Sequence, residues 1–223
     1  MAKPSNFPEQ RARMVERQLR RRGIGDERVL AAMGAVPREH FVPLQVRDSA
    51  YNDSALPIGH EQTISQPWVV AAICQALSLD GDEKVLEIGT GSGYSAAVLA
   101  RLARRVISVE RVPELGEAGR RRLTELGIDN AEVVIADGSK GHPEEAPYEG
   151  IAIHAATPEA PHSLIAELAP EGRLVVPIAT GSADLLVAFI REDGELRQET
   201  IGPCRFVPLI GVEGFNPPGI DDG

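Results

Sequence analysis

The chain has 223 residues, 43% of them hydrophobic and 25% charged; that length can bury roughly 70% of the unfolded surface without disulfides or metal, and no apolar run approaches the ~18 residues of a membrane-spanning helix. A net charge of −10 argues against broad binding to nucleic acid phosphates. Two cysteines outside any Cys-x-x-Cys pair and five histidines without ligand spacing argue against a disulfide framework and against a metal site.

Residues 1–16 are polar and lack the apolar centre of a secretory signal, so the expected compartment is the cytoplasm. The pattern over 9–22 predicts a helix with Met14 and Leu19 on a sparse apolar side, ended by Gly23. Asp26 is placed to cap a second short helix whose inner face is Val29, Leu30 and Met33. Residues 36–66, rich in Pro, Gly, Asp and Ser, read as a long irregular stretch, and an ordered loop of that length tends to be functional. Pro67 suits the first position of a helix running to about Ser78. From Lys84 onward, short apolar runs at 84–88, 106–109, 133–135, 151–155, 174–178 and 185–190 alternate with helical stretches at 92–103, 113–126 and 158–168. Continuous apolar strands separated by helices indicate a parallel sheet covered on both faces. The helical pattern stops after Leu185, which predicts antiparallel closing strands. The expected fold is α/β, a doubly wound and mostly parallel Rossmann-like sheet with an N-terminal helical cap.

The segment Val85-Leu86-Glu87-Ile88-Gly89-Thr90-Gly91-Ser92-Gly93-Tyr94 reads as strand, glycine turn and helix. Glycines there let the backbone pass close to a ligand at the carboxyl end of the first core strand. A dinucleotide fingerprint wants Gly-x-Gly-x-x-Gly; here the third glycine comes one position early and Tyr94 stands in its place. Glu87 would meet a pyrophosphate with like charge, but it suits a cationic ligand carrying an ammonium group. The amino-acid part of S-adenosylmethionine is such a ligand. Glu110 closes the second strand 21 residues after Gly89, where a carboxylate can accept ribose hydroxyls, and Arg111 follows it. Asp137-Gly138 closes the third strand, placed for the adenine edge. Three acids after successive strands, with Gly89, Thr90, Gly91 and Gly93, select S-adenosylmethionine as cofactor and S-adenosylhomocysteine as product, without metal.

Several further segments carry a family likeness: Val36-Pro37-Arg38-Glu39-His40-Phe41-Val42-Pro43, Ala50-Tyr51-Asn52-Asp53, Ala55-Leu56-Pro57-Ile58-Gly59, Gln62-Thr63-Ile64-Ser65-Gln66-Pro67, Ala146-Pro147-Tyr148 and Arg205-Phe206-Val207-Pro208-Leu209. With the glycine turn they make the chain resemble the protein-L-isoaspartate O-methyltransferases over nearly its whole length. The resemblance implies a class I methyltransferase that esterifies the free α-carboxylate of isoaspartyl residues in damaged proteins and peptides, starting repair through a succinimide. It implies that Gln62, Thr63, Ile64 and Ser65 lie against the cofactor, with the Ser65 hydroxyl in the active site. Phe206, Val207, Pro208 and Leu209, with Glu61, would hold the substrate. The length and the pattern along the chain indicate one domain over 1–223: N-terminal helices and substrate loop in 1–80, cofactor core in 81–180, closing strands and substrate-side segment in 181–223. A cytoplasmic monomer without nucleic acid or membrane partners is expected. The chemistry agrees, because a carboxylate is ionised at pH 7 and needs no base.

Ser65 could instead cap the helix opened by Pro67, but Gln66 stands in the cap position. Glu61 replaces the family's usual glycine before Gln-Thr-Ile-Ser, which puts left-handed geometry and peptide preference at issue; a side chain that simply points to solvent is the alternative reading. His154 stands where a small residue or threonine is commoner; it reads as a structural histidine, with a place facing the cofactor edge as the alternative. Glu149 stands in place of the usual aspartate after Tyr148. Two alternatives stay open: methylation of ordinary aspartate in a dedicated precursor peptide, and a non-catalytic S-adenosylmethionine-binding module.

Overall fold

A computed structural model describes residues 6–181 and 183–216. Residues 1–5, 182 and 217–223, which belong to the polar N-terminal stretch and the C-terminal unit, lie outside the described residues. Helices α1 (Phe7–Met14) and α2 (Glu27–Ala35) precede a hairpin of β1 (Leu56–Gly59) and β2 (Gln62–Ile64), then α3 (Pro67–Leu77). The alternating part follows: β3 (Lys84–Ile88), α4 (Tyr94–Leu99), β4 (Arg105–Glu110), α5 (Pro113–Glu125), β5 (Ala131–Ile135), β6 (Tyr148–Ile153), α6 (His162–Ala166), β7 (Leu168–Ala179), β8 (Asp184–Glu192) and β9 (Glu195–Cys204).

Strands β3 to β9 form a seven-stranded sheet in the order β5-β4-β3-β6-β7-β8-β9. The β5-to-β7 part is parallel, and β8 and β9 are antiparallel additions. The chain leaves β3 toward β4 on one side and returns at β6 on the other, which opens a crevice at the carboxyl end of β3. Alternation along β3 feeds two cores. Val85 joins α3, α4 and the N-terminal helices, whereas Leu86 and Ile88 join Ile107, Val109, Ile151 and Ile153 on the opposite face. Glu87 falls on the Val85 side, beside its register partner Ser108.

The short helices form where caps and apolar spacing permit. Asp26 accepts from Arg28 N at 2.8 Å and Val29 N at 3.2 Å, and Val29, Leu30 and Met33 are buried as the sequence indicates. The first helix starts earlier than expected, with Asn6 accepting from Glu9 N, and is not uniformly α. It widens into a π turn at Val15–Leu19, tightens at Arg20–Arg22 and ends at left-handed Gly23. The wider turn brings Met14 and Leu19, five positions apart, toward one buried face.

Three expectations need correction. The stretch 36–66 holds two 3₁₀ turns, Arg38–Phe41 and Leu44–Ser49, and the β1–β2 hairpin. Its strands are very short, and its turn at His60–Glu61 lacks the Asn-Gly signature of such turns. The helix expected at 158–168 is only α6, because Pro158 and Pro161 keep the preceding backbone out of the helix. The helix expected at 92–103 begins at Tyr94, since Gly93 before it is left-handed (φ +89°).

Both hairpin-turn residues are left-handed, His60 at φ +52° and Glu61 at +58°. A non-glycine residue there costs about 1–2 kcal/mol. Glu61→Gly is therefore expected to stabilise the protein by about 1 kcal/mol, a rise of ~2–4 °C in Tm. Thermal unfolding of the two proteins side by side checks this, and an unchanged or lowered Tm would contradict it.

Candidate active site

The crevice is built around the turn that leaves β3. Gly89, Gly91 and Gly93 all have positive φ, at +93°, +51° and +89°. Gly89 N donates to the Val109 carbonyl and Gly93 N to the Thr90 carbonyl, each at 2.8 Å. The cavity at this turn is lined by Gln62, Thr63, Ile64 and Ser65 from the hairpin and its exit. Its other walls include Gly89, Thr90, Gly91, Glu110, Arg111, Gly138, His154, Val207, Pro208 and Leu209. Residues dispersed over almost 150 positions thus share one pocket. A Cβ on Gly91 would lie 3.4 Å from Ile58 Cδ1, so the hairpin roofs the turn. Gly93 is not in the wall. It packs against α5, where a Cβ would lie 3.2 Å from Gly119 Cα, so its role is helix packing although it comes one position early for a dinucleotide motif.

The three acids end in three different environments. Glu110 lines the cavity at 7% exposure, its two oxygens accepting from Gly91 N at 2.7 Å and Val112 N at 2.9 Å. Each oxygen keeps a lone pair for a ligand. Glu87 is 0% exposed and outside the wall, beneath the turn. Ser108 Oγ donates to Glu87 Oε2 at 2.5 Å and stands 2.5 Å from Thr90 Oγ1. Glu87 Oε1 is buried without a hydrogen-bond partner among the described residues. Burial pushes the Glu87 carboxyl up to about 7 against the opposing bond from Ser108, and Glu110 pushes the same way as burial. Asp137, expected at an adenine edge, is instead engaged by protein. Its carboxylate accepts from Ser139 N at 3.0 Å, Ser139 Oγ at 2.8 Å and Val212 N at 3.2 Å. Burial works to raise its pKa, but these bonds outweigh it and hold the group below its usual value. Asp137 lies outside the wall, and its neighbour Gly138 lines it.

The sequence missed or undervalued other wall residues. His154, read as structural, lines the cavity with Ser92, Tyr94 and Ser95. Its Nε2 is 2.7 Å from Ser95 Oγ and 3.4 Å from Glu87 Oε1. Burial lowers its pKa to about 4, so at neutral pH the ring is uncharged and makes no ion pair with Glu87. Its position at the end of β6, next to the switch point, was the available signal.

The C-terminal wall is pinned by backbone pairing: Ala156 N donates to Val207 O at 2.8 Å and Leu209 N to Ala156 O at 2.7 Å. Phe206 is outside the wall, its ring centre 6.5 Å from that of His154. Glu61 is also outside, exposed at the hairpin tip, because the turn and not the strand carries it. Ser65 lines the cavity and does not cap α3, whose N-cap is Gln66. Among the described residues no group of three or more His, Cys, Asp or Glu is arranged to hold a metal ion. No helix there is long and apolar enough to cross a membrane.

Comparison with known proteins places this geometry. A family model described as protein-L-isoaspartate(D-aspartate) O-methyltransferase matches residues 9–214. A protein-L-isoaspartate O-methyltransferase of Methanoculleus marisnigri is 48% identical over 92% of this chain and 94% of its own. A solved protein-L-isoaspartate O-methyltransferase superimposes with a TM-score of 0.79 at 30% identity, over 91% of this chain and 66% of that one. A Plasmodium falciparum structure described as a putative member, in complex with S-adenosyl-L-homocysteine, shares the fold (TM-score 0.78, 24% identity, 90% of this chain and 98% of that one).

The buried Glu87 carries a pH signature. Its folded pKa is raised from 4.5 to about 7, so its contribution to stability is full below the unfolded value and is lost as pH rises through 7. His154 acts with the opposite sign, present above 6.5 and lost as pH falls through about 4. Relative to Glu87→Gln, which retains His154, the wild type is expected to lose stability between pH 5 and pH 8. Urea unfolding of both proteins at the two pH values measures this; a difference that does not change with pH would refute the assignment.

Proposed function

The chain belongs to the protein-L-isoaspartate(D-aspartate) O-methyltransferase family, and from that membership we propose that it transfers a methyl group from S-adenosylmethionine to the α-carboxylate of L-isoaspartyl residues in damaged proteins and peptides. The observation that carries the reading is the shared cavity, in which the Gln62–Ser65 wall faces the glycine turn and Glu110 across a space at the sheet's switch point. The resulting ester collapses without enzyme to a succinimide, and hydrolysis restores some normal aspartate.

The residues fit the cofactor. Gly89 and Gly91 bring main chain to the cavity without side-chain obstruction, the Thr90 hydroxyl is engaged by Ser108, and Gly93 supports them from behind. The Glu110 lone pairs suit ribose hydroxyls, with Arg111 and Gly138 beside them. Glu87, with one buried oxygen unpartnered, supplies negative charge under the turn toward a cationic ligand. Asp137 acts through the position of Gly138 and not by direct contact. When bound, S-adenosylmethionine supplies an electrophilic methyl group on a sulfonium.

The chain's own task is orientation and exclusion of water. An isoaspartyl carboxylate is already ionised, so no residue need remove a proton, and a neutral His154 is in keeping with that. Ser65 donates a hydrogen bond that orients the substrate carboxylate. Gln62, Thr63 and Ile64 continue the wall, and Ile58 roofs the glycine turn. Val207, Pro208 and Leu209 hold the substrate main chain, with Phe206 supporting His154. Glu61 is removed from the cavity, so nothing at that position favours tailoring of ordinary aspartate in a precursor peptide. The intact Ser65 wall disfavours a silent binding module.

The chain is read as one methyltransferase domain, since residues as far apart as Gln62 and Ile210 line one cavity. It works as a cytoplasmic monomer on isoaspartyl proteins and peptides, away from membranes. The net charge of −10 opposes nucleic acid as a partner.

Labelled S-adenosylmethionine with matched isoaspartyl and aspartyl peptides tests the function. Label is expected in the isoaspartyl peptide alone, and labelling of only the aspartyl peptide would transfer the assignment to the tailoring reaction. Ser65→Ala should lower kcat by roughly 10- to 100-fold with little change in cofactor affinity; full turnover with a lower Tm would make Ser65 structural. Glu110→Ala should weaken S-adenosylhomocysteine binding by about 2–3 kcal/mol in calorimetry, and unchanged affinity would remove Glu110 from the ribose site.

A further inference from the structure

Ser65 sits at a junction that neither neighbouring element holds. The hairpin ladder ends one residue before it, at the Leu56–Ile64 pair, and α3 begins after Gln66 without a side-chain capping bond. The Ser65 carbonyl accepts instead from Arg38 Nη2 at 2.8 Å, across 27 positions of sequence. The same guanidinium donates from Nε to the Ala50 carbonyl at 2.7 Å, and its Cζ lies 4.9 Å from the centre of the Tyr94 ring. Tyr94 is the first residue of α4, directly behind the glycine turn, and it lines the cavity.

Arg38 is 0% exposed. Burial lowers its pKa to about 10, so it stays charged at neutral pH, with main-chain carbonyls as its hydrogen-bond acceptors. One further nitrogen, Nη1, has no partner among the described residues. Burying a cation in this way is costly, and an apolar side chain of similar volume would fill the space at less cost. What an apolar residue could not do is join three separate pieces of chain. The planar fork reaches two carbonyls while its face covers an aromatic ring, a combination that lysine cannot reproduce.

We propose that Arg38 is a positioning residue for methyl transfer: it braces the Ser65 main chain against the helix that follows the glycine turn, and so sets where the Ser65 hydroxyl stands relative to the cofactor pocket. The proposal rests on the reading of Ser65 as the group that orients the substrate carboxylate. Arg38 acts through Ser65, so its effect belongs in turnover and not in cofactor affinity.

The test is a double-mutant cycle. Arg38→Met and Arg38→Lys are each made in the wild type and in Ser65→Ala. For each protein kcat is measured on an isoaspartyl peptide, affinity for S-adenosylhomocysteine by calorimetry, and Tm by thermal unfolding. In the wild-type background Arg38→Met is expected to lower kcat by about 10-fold or more, with affinity within about threefold, and Arg38→Lys to recover part of the loss. In the Ser65→Ala background both substitutions should change kcat by less than about twofold, because the hydroxyl they position is gone. Equal losses in both backgrounds, an unchanged kcat, or a parallel fall in cofactor affinity would overturn the proposal. If Arg38→Met does not fold, the Arg38→Lys cycle decides by the same criteria. A wild type that methylates no isoaspartyl peptide overturns the functional reading together with the proposal, whereas an active wild type with additive losses overturns the proposal alone.

Discussion

Behind the cofactor turn, α4 and α5 meet through two glycines. A Cβ on Gly93 would stand 3.2 Å from Gly119 Cα, and one on Gly119 would stand 3.0 Å from Thr90 Cγ2. Those distances leave no comfortable room for a side chain on either residue. The contact lets the turn fold back tightly enough for one Glu110 carboxylate to accept hydrogen bonds from both Gly91 N and Val112 N. Two successive βα connections are thereby tied to each other at the cavity floor. Opening the glycine contact would move Gly91 away from Glu110, and the main chain that faces the ligand would lose its fixed place.

Charge then decides what suits the cavity. Two acids converge on the turn, one buried completely and one nearly so, and the imidazole beside them is neutral at pH 7 because burial opposes its protonation. An unpartnered carboxyl oxygen in such a place is disfavoured as an anion until a cation or a donor comes near. The arrangement is poor for a pyrophosphate and good for a ligand with an ammonium group and a sulfonium.

The substrate side is assembled by contacts between segments far apart in the chain. The hairpin and its exit come from the N-terminal third, whereas Val207–Leu209 comes from near the end. The latter is held by backbone pairing with Ala156, and the residues just beyond are fastened too. Val212 N binds Asp137, Glu213 N binds Ser139 Oγ at 3.1 Å, and the Glu213 carboxylate accepts from Ser163. Asp137 thus serves the wall by holding the segment that follows it, even though its own side chain is outside.

By itself the sequence determined the class of fold and the cofactor turn, because both are written in local signals. Apolar runs separated by amphipathic stretches specify strands and helices through their periodicity, and Glu87, the glycines and Glu110 stand at fixed offsets from those strands. Asp26 and Pro67 announced their helices for the same reason. Only the tertiary structure decided that Asp137 turns to Ser139 and Val212, that Glu61 leaves the wall at a left-handed turn, and that His154 enters it. A side chain's direction and partners depend on elements that are distant in sequence, and no local pattern records them. The hairpin carries no such local signature either, since strands this short owe their existence to what they cover and not to their own propensity. Arg38 shows the limit most clearly: its residue type was visible in a short motif, but its two carbonyl partners and its aromatic ring come together only when the chain has folded.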